Sequence, residues 1–217
     1  MEFVVLGWPP EGPTLRLDYR RFAYAGKFVM SNTGKAVVRE PETGTEGGDG
    51  DADADPDDDY AADVVAALAF NADRTDDAVL WYRYVTVRSD AKGSERGPRL
   101  AAFVAPRAAE RGYERLRIAV NNPFAYEAMY KAGFAWTGEE TGVAELVLER
   151  PASRPASTAS TAASEPETAE TYRTGLDRYR ARDLGDPEAS FLRERVGADP
   201  PALCAVPGPR GDGNPED

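Results

Sequence analysis

The apolar positions change period several times along the chain, and the changes mark out its elements. Leu80 to Val87 is a β-branched and aromatic run of strand length, the composition of a mostly buried strand. Asp63 to Asn71, carrying Val64, Val65, Leu68 and Phe70, predicts a strand before it, and the turn residues Asp73 to Asp77 make the two an antiparallel hairpin. Simple alternation places Tyr82 and Tyr84 on one face of the Leu80 strand and Val85 and Val87 on the other. A short glycine-bearing basic loop, Arg88 to Arg99, comes next, then a helical stretch from Leu100 to Arg111. Pro106 lies inside that stretch, where proline costs about 3 kcal/mol or kinks the helix. Arg115 to Val120 reads as another strand. Asn122 and Pro123 are a good N-cap and first residue for a second helix, and Gly133 closes it.

The flanks are less regular. Glu2 to Leu6 predicts a short strand, and Gly7 to Pro13 is turn-rich. Asp18 is placed to cap a short helix reaching Tyr24, with Gly26 ending it. Phe28 to Met30 and Ala36 to Val38 flank a hairpin-like turn at Ser31 to Gly34. Glu145 to Leu148 predicts a further strand, with Trp136 before it. Residues 41–59 are rich in Asp, Gly and Glu without periodicity, the signature of a disordered acidic loop. Residues 151–170, rich in Pro, Ala, Ser and Thr, read as a flexible linker. The organisation expected is one domain over residues 1–150, that linker, and a helical tail with a disordered end over residues 171–217. Thr171 to Leu184 is the first tail helix, and a second starts at Asp186-Pro187 and stops near Gly197. Three uses of the tail are open: docking on its own domain, pairing two copies into a homodimer, or binding a partner.

Composition narrows the class. The formal charge is −12, only Lys27, Lys35, Lys92 and Lys131 are lysine, and arginine supplies the other cations. That texture suits a surface adapted to a high-salt cytosol, and it argues against general nucleic-acid binding. Cys204 is the only cysteine, so no intramolecular disulfide forms and a cytoplasmic location is expected. No apolar run is long enough to span a membrane, and Met1 to Trp8 lacks the flanks of a signal peptide. The acidic run DGDADADPDDD lacks the helices and terminal Glu of a calcium loop, so no metal is implied.

The chemistry is expected where the basic loop meets a helix start. Unpaired N–H groups and the helix dipole favour an anion there, and glycines allow close approach. Arg88, Lys92, Arg96 and Arg99 face only Asp90 and Glu95, a positive island in an acidic chain. A dinucleotide site would instead need G-x-G-x-x-G and an acid ending the next strand, which here ends in Asn121-Asn122.

The stretch from Asp63 to Arg150 resembles the GNAT superfamily of N-acyltransferases. That family carries [Q/R]-x-x-G-x-[G/A] between its fourth strand and third helix, matched here by Lys92-Gly93-Ser94-Glu95-Arg96-Gly97. Its second landmark, N-x-x-A with G-F after it, is matched by Asn122, Ala125, Gly133 and Phe134. Lys92 stands for the family's Arg or Gln, Glu95 for its first glycine and Met129 for its frequent tyrosine.

The resemblance implies an α/β fold, a mixed and mostly antiparallel sheet flanked by helices. It also implies acetyl-CoA or another acyl-CoA as cosubstrate and an amine acceptor. By the same resemblance, the main chain of Val85 and Val87 pairs with pantetheine where the fourth and fifth strands splay. Lys92, Gly93, Ser94, Glu95, Arg96, Gly97 and Pro98 lie at the pyrophosphate, and Asn122 and Ala125 along the pantetheine arm. The chain has no histidine. Tyr130 is then the candidate acid for the departing thiolate, with Tyr126 next, and Tyr84 or Glu127 could line the acceptor cleft. The alternative is a non-catalytic acyl-CoA-binding or regulatory module of the same fold.

Overall fold

The computed structural model describes residues 1–40, 59–153 and 166–208. The acidic segment and most of the linker, both expected to be disordered, lie outside them, as does the C-terminal end. The described strands are β1 (Glu2–Gly7), β2 (Gly34–Arg39), β3 (Val64–Ala72), β4 (Val79–Val87), β5 (Arg115–Val120), β6 (Ala135–Glu140) and β7 (Leu146–Pro151). The α-helices are α1 (Arg96–Ala109), α2 (Pro123–Lys131), α3 (Pro166–Arg180) and α4 (Asp186–Glu194). The strands form one sheet in the order β1-β2-β3-β4-β5-β7-β6, antiparallel except for the β4–β5 pair. This is the mixed α/β architecture that the resemblance implied.

Each face of the sheet carries its own core. On one face Leu68, Phe70, Leu80, Tyr82, Leu116 and Leu148 pack under α1, α2 and the tail helices. On the other, Val37, Ala67 and Ala69 are covered by Leu15, Leu17, Phe22 and Phe28 from the chain between β1 and β2.

Three expectations near the N-terminus need correcting. Asp18 accepts from Arg20 N at 2.9 Å and Phe22 N donates to its carbonyl, but this single turn does not propagate into a helix. Tyr24 takes left-handed backbone (φ 61°), and only a 3-10 turn comes after it at Ala25–Lys27. Phe28 to Met30 is no strand, so β2 pairs with β1 and β3 and the expected hairpin does not form. Helix α1 also begins at Arg96, four residues earlier than predicted, and Pro106 is accommodated inside it. Strand β6 was not foreseen, because a positive-φ Gly138 and a register irregularity break its alternation.

The tail docks on its own domain, one of the three uses left open. Tyr172, Leu176 and Tyr179 of α3 and Leu192 of α4 are all buried in the larger core. Gly175 makes this contact geometrically feasible, since a Cβ there would lie 2.1 Å from the Tyr126 hydroxyl. Helix α3 starts at Pro166, inside the stretch read as linker.

Candidate functional site

Strand β4 carries the feature around which the site is built. Phe70 pairs with Tyr82, yet Ala69 pairs with Tyr84, so Arg83 is an extra residue, a β-bulge. A bulge reverses the side-chain parity of the residues beyond it. Leu80 and Tyr82 face α1, and so do Val85 and Val87 on the far side of the bulge. Tyr82 donates to Ala101 O at 3.0 Å, while Tyr84 packs on the opposite face. Simple alternation therefore misplaced Tyr82 and placed Tyr84 correctly. The parity break was legible, since apolar positions 80 and 82 give way to 85 and 87.

The parallel ladder between β4 and β5 stops at the same place. It runs from Val79–Arg115 to Tyr82–Ile118 and no further, although β4 continues to Val87 and β5 to Val120. Past the bulge the two strands part. Val85 and Val87 are half-buried there, beneath the first turn of α1. A Cβ on Gly97 would meet Val87 Cγ2 at 3.2 Å, so glycine lets the helix start sit directly on β4. Pro98 is buried beside it in that first turn.

The loop leading into α1 is a chain of local contacts. Ser94 Oγ donates to Ala91 O, and Lys92 and Gly93 are exposed. Glu95 occupies the position before the helix in left-handed backbone (φ 58°, ψ 12°), and its carbonyl accepts from Arg99 N at 3.0 Å. Two of the four cations of the positive island are paired with carboxylates within the fold. Arg96 forms a fork on Glu40, with contacts of 2.9 and 2.7 Å to Oε1 and 2.9 Å to Oε2. Arg88 lies 2.7 Å from Asp90, and Lys131 lies 3.3 Å from Glu95. None of these carboxylate partners beyond the loop itself was foreseen.

Helix α2 forms the other wall. Asn122 Oδ1 accepts from Ala125 N at 2.8 Å, as an N-cap should, and Nδ2 reaches Asn121 Oδ1. The helix ends with Gly133 N donating to Tyr130 O and Phe134 N to Met129 O, a Schellman pattern. Tyr126 and Tyr130 share the face turned to the tail: Tyr126 stacks on Tyr172 at 5.7 Å, and Tyr130 meets Tyr172 at 4.6 Å. Tyr126 donates to Thr171 O and Tyr172 O at 3.3 Å, and burial raises its pKa well above the usual phenol range. The catalytic candidate Tyr130 is thus 2 % exposed and packed inside an aromatic cluster.

Glu127, offered as a lining residue of the acceptor cleft, is buried between α2 and the tail. It accepts from the Tyr172 hydroxyl at 2.9 Å and from both Nε and Nη2 of Arg195, with Lys131 3.7 Å away. Burial works to raise its pKa, but the Arg195 guanidinium and Tyr172 hydroxyl outweigh that and hold the carboxyl below its ordinary value. This buried cluster joins α2 to the tail. Further along, Cys204 N donates to Lys131 O at 2.8 Å, and burial pushes the Cys204 thiol up to about 11.

Among the described residues no group of three or more His, Cys, Asp or Glu could hold a metal ion, and no helix is long and apolar enough to cross a membrane.

A helix start seated on a parting parallel strand pair defines the class of fold, and solved structures resemble it at low identity. An N-acetyltransferase from Staphylococcus aureus Mu50 is 15 % identical, covering 55 % of this chain and 68 % of that one at a TM-score of 0.41. A Bacillus subtilis acetyltransferase in complex with CoA is 10 % identical, covering 55 % of this chain and 76 % of that one at 0.40. A GNAT superfamily phosphinothricin acetyltransferase from Sinorhizobium meliloti, in complex with AcCoA, is 12 % identical, covering 55 % and 60 % at 0.41. No family model and no curated protein matches the chain.

Proposed function

We propose that the chain transfers an acyl group, acetyl in the first instance, from acyl-CoA to an amine. The observation that carries this is the parting of β4 and β5 directly beneath the start of α1. An extended arm bearing amides fits such a parting, because the β4 main chain turned toward β5 past Tyr82 has no strand partner among the described residues. In this reading the main chain at Val85 and Val87 receives the pantetheine, and Asn122 and Ala125 flank it. The loop Lys92, Gly93, Ser94, Glu95, Arg96, Gly97 and Pro98 faces the pyrophosphate. There the helix N–H groups, not the side-chain charges, do most of the holding, since Arg96 is engaged by Glu40 and Glu95 is itself an anion.

The acyl-CoA supplies an activated thioester. The amine nitrogen bonds to its carbonyl carbon and gives up one proton to water, the C–S bond breaks, and the thiolate takes a proton. We assign that proton to Tyr130, so Tyr130→Phe lowers kcat while leaving the affinity for CoA within about twofold. The composition is the basis for a cytosolic, salt-rich setting.

The test is direct. Acetyl-CoA binding only the folded state stabilises it by RT ln(1 + [L]/Kd), about 2.7 kcal/mol at a hundred times Kd. A melting-temperature rise that Gly97→Val abolishes supports the reading, and no rise at millimolar acetyl-CoA sinks it. The burial of Tyr130 against Tyr172 favours one second reading, a module that binds acyl-CoA without turning it over. Binding without turnover across an amine panel identifies it.

A further inference from the structure

On the face of the sheet opposite α1, a cleft of about 550 Å³ opens beside the Arg83 bulge. Its walls include Asn71, Arg74, Trp81 and Arg83 on one side and Met30 and Thr33 on the other. Its volume suits a small metabolite. Two of its residues, Arg83 and Tyr84, lie directly past Tyr82, where the ladder with β5 ends.

The cations around it are short of anions. Arg83 is exposed, donates from Nε to Asn71 Oδ1 and lies over the Trp81 ring at 5.1 Å. Among the described residues its Nη groups have no hydrogen-bond acceptor, and Arg74 has neither hydrogen bond nor ion pair. Lys35 lies behind Met30 and Thr33, fully buried, its Nζ donating to Met30 O at 2.6 Å, Thr33 O at 3.0 Å and Thr33 Oγ1 at 3.1 Å. Those acceptors are neutral, and no carboxylate pairs with this ammonium among the described residues. Burial accordingly lowers its pKa. The one acid in the wall, Asp73, is occupied by Thr75 N at 2.8 Å, Thr75 Oγ1 at 2.7 Å and the Trp81 indole N–H. Two cations, Arg74 and Arg83, therefore share the wall with one carboxylate, whose hydrogen bonds go to its own turn and to Trp81. A guanidinium with its Nη edge open is shaped to take an oxyanion in two parallel hydrogen bonds.

We infer that this cleft binds the acceptor, and that the acceptor is an amine which also carries an oxyanion, a carboxylate or a phosphate, held by Arg83 with Arg74. The role of acceptor rests on the acyl-transfer reading, but the anion site is testable without it.

The experiment tracks the Trp81 indole resonance in ¹⁵N–¹H spectra, assigned with Trp81→Phe, as matched probes are titrated without acyl-CoA. One pair is phenylalanine and phenethylamine, and the other is phosphoethanolamine and ethanolamine. The anionic member of at least one pair shifts the resonance saturably and its neutral-tailed partner does not. Which pair responds separates carboxylate from phosphate. Arg83→Ala weakens that binding by roughly ten- to a hundredfold, the worth of hydrogen bonds to a charged group, and Arg83→Lys, which keeps charge without the fork, falls between. Circular dichroism confirms that both variants fold. The inference is overturned if no probe moves Trp81, if paired probes bind alike, or if Arg83→Ala binds like the wild type. Anion binding without acetyl transfer leaves this site standing and removes the enzyme reading. Transfer to amines lacking an anion, unaffected in Arg83→Ala, does the reverse.

Discussion

Replacing Glu95 by glycine separates backbone strain from charge at the loop that enters α1. Glu95 sits at φ 58°, ψ 12°, where an L-residue other than Asn or Asp costs roughly 1–2 kcal/mol. Its side chain is 52 % exposed and meets Lys131 at 3.3 Å, a surface pair worth about 0.2–1 kcal/mol. Glycine relieves the strain and loses the pair, and it also gives back part of the gain through a freer unfolded chain, about 0.4–1 kcal/mol. Alanine loses the pair and keeps the strain. Glu95→Gly should therefore be more stable than Glu95→Ala by about 0.5–1 kcal/mol, while Glu95→Ala falls slightly below the wild type. For a chain of this size that is about 2 °C in melting temperature. Urea denaturation is the assay, with the midpoint shift taken at unchanged m. A Lys131→Ala variant, alone and combined, isolates the ion pair. If Glu95→Gly is no more stable than Glu95→Ala, the left-handed turn is not held in solution, and α1 does not start over β4 in the way the Glu95 turn requires.

Two further outcomes concern the tail. Gly175→Ala forces a methyl to 2.1 Å from the Tyr126 hydroxyl, so α3 lifts from α2 at a cost of about 1–3 kcal/mol, read as faster proteolysis of the tail. Glu127→Gln removes the ionised partner of Arg195 and Tyr172. Because the folded carboxyl lies below its ordinary 4.5, its stabilisation is fully present above that pH and is lost as pH falls through the depressed folded value. The melting-temperature gap between wild type and Glu127→Gln should accordingly be widest near neutrality and close on acidification, and a pH-independent gap would refute the ion-pair account.

The regular half of the fold was legible because local and tertiary preferences agree there. β4 and β5 lie within a residue of their predicted bounds, and Asn122-Pro123 both caps and starts α2. The N-terminal quarter was not, because its apolar residues carry no period: Leu15, Leu17, Phe22 and Phe28 cover a sheet face from irregular backbone. The candidate residues of the loop and of α2 could be read from spacing, whereas their partners could not. Glu40 lies 56 positions from Arg96, and Arg195 lies 68 from Glu127. Charge counting along the sequence suggested a free positive island, and pairing across the first of those separations takes Arg96 out of it.

That displacement of charge bears on where an anion is best held. Around α1 the fold provides arginines and then binds them to carboxylates: Arg96 to Glu40, Arg88 to Asp90. Each pair withdraws a guanidinium from any phosphate arriving at the loop, the part-buried fork of Arg96 on Glu40 most of all. Across the sheet the same chain leaves Arg83 and Arg74 lining a cleft whose one carboxylate accepts from its own turn and from Trp81. The bulge at Arg83 falls where the ladder with β5 ends, and Arg83 itself lines the cleft. Deleting Arg83 would restore strand parity and extend the parallel ladder, so it should close the parting and remove the anion site in a single step. Arg83→Ala keeps the bulge and removes only the second. A deletion variant that still bound acetyl-CoA would break the link between the parted strands and the donor site, whatever the cleft does.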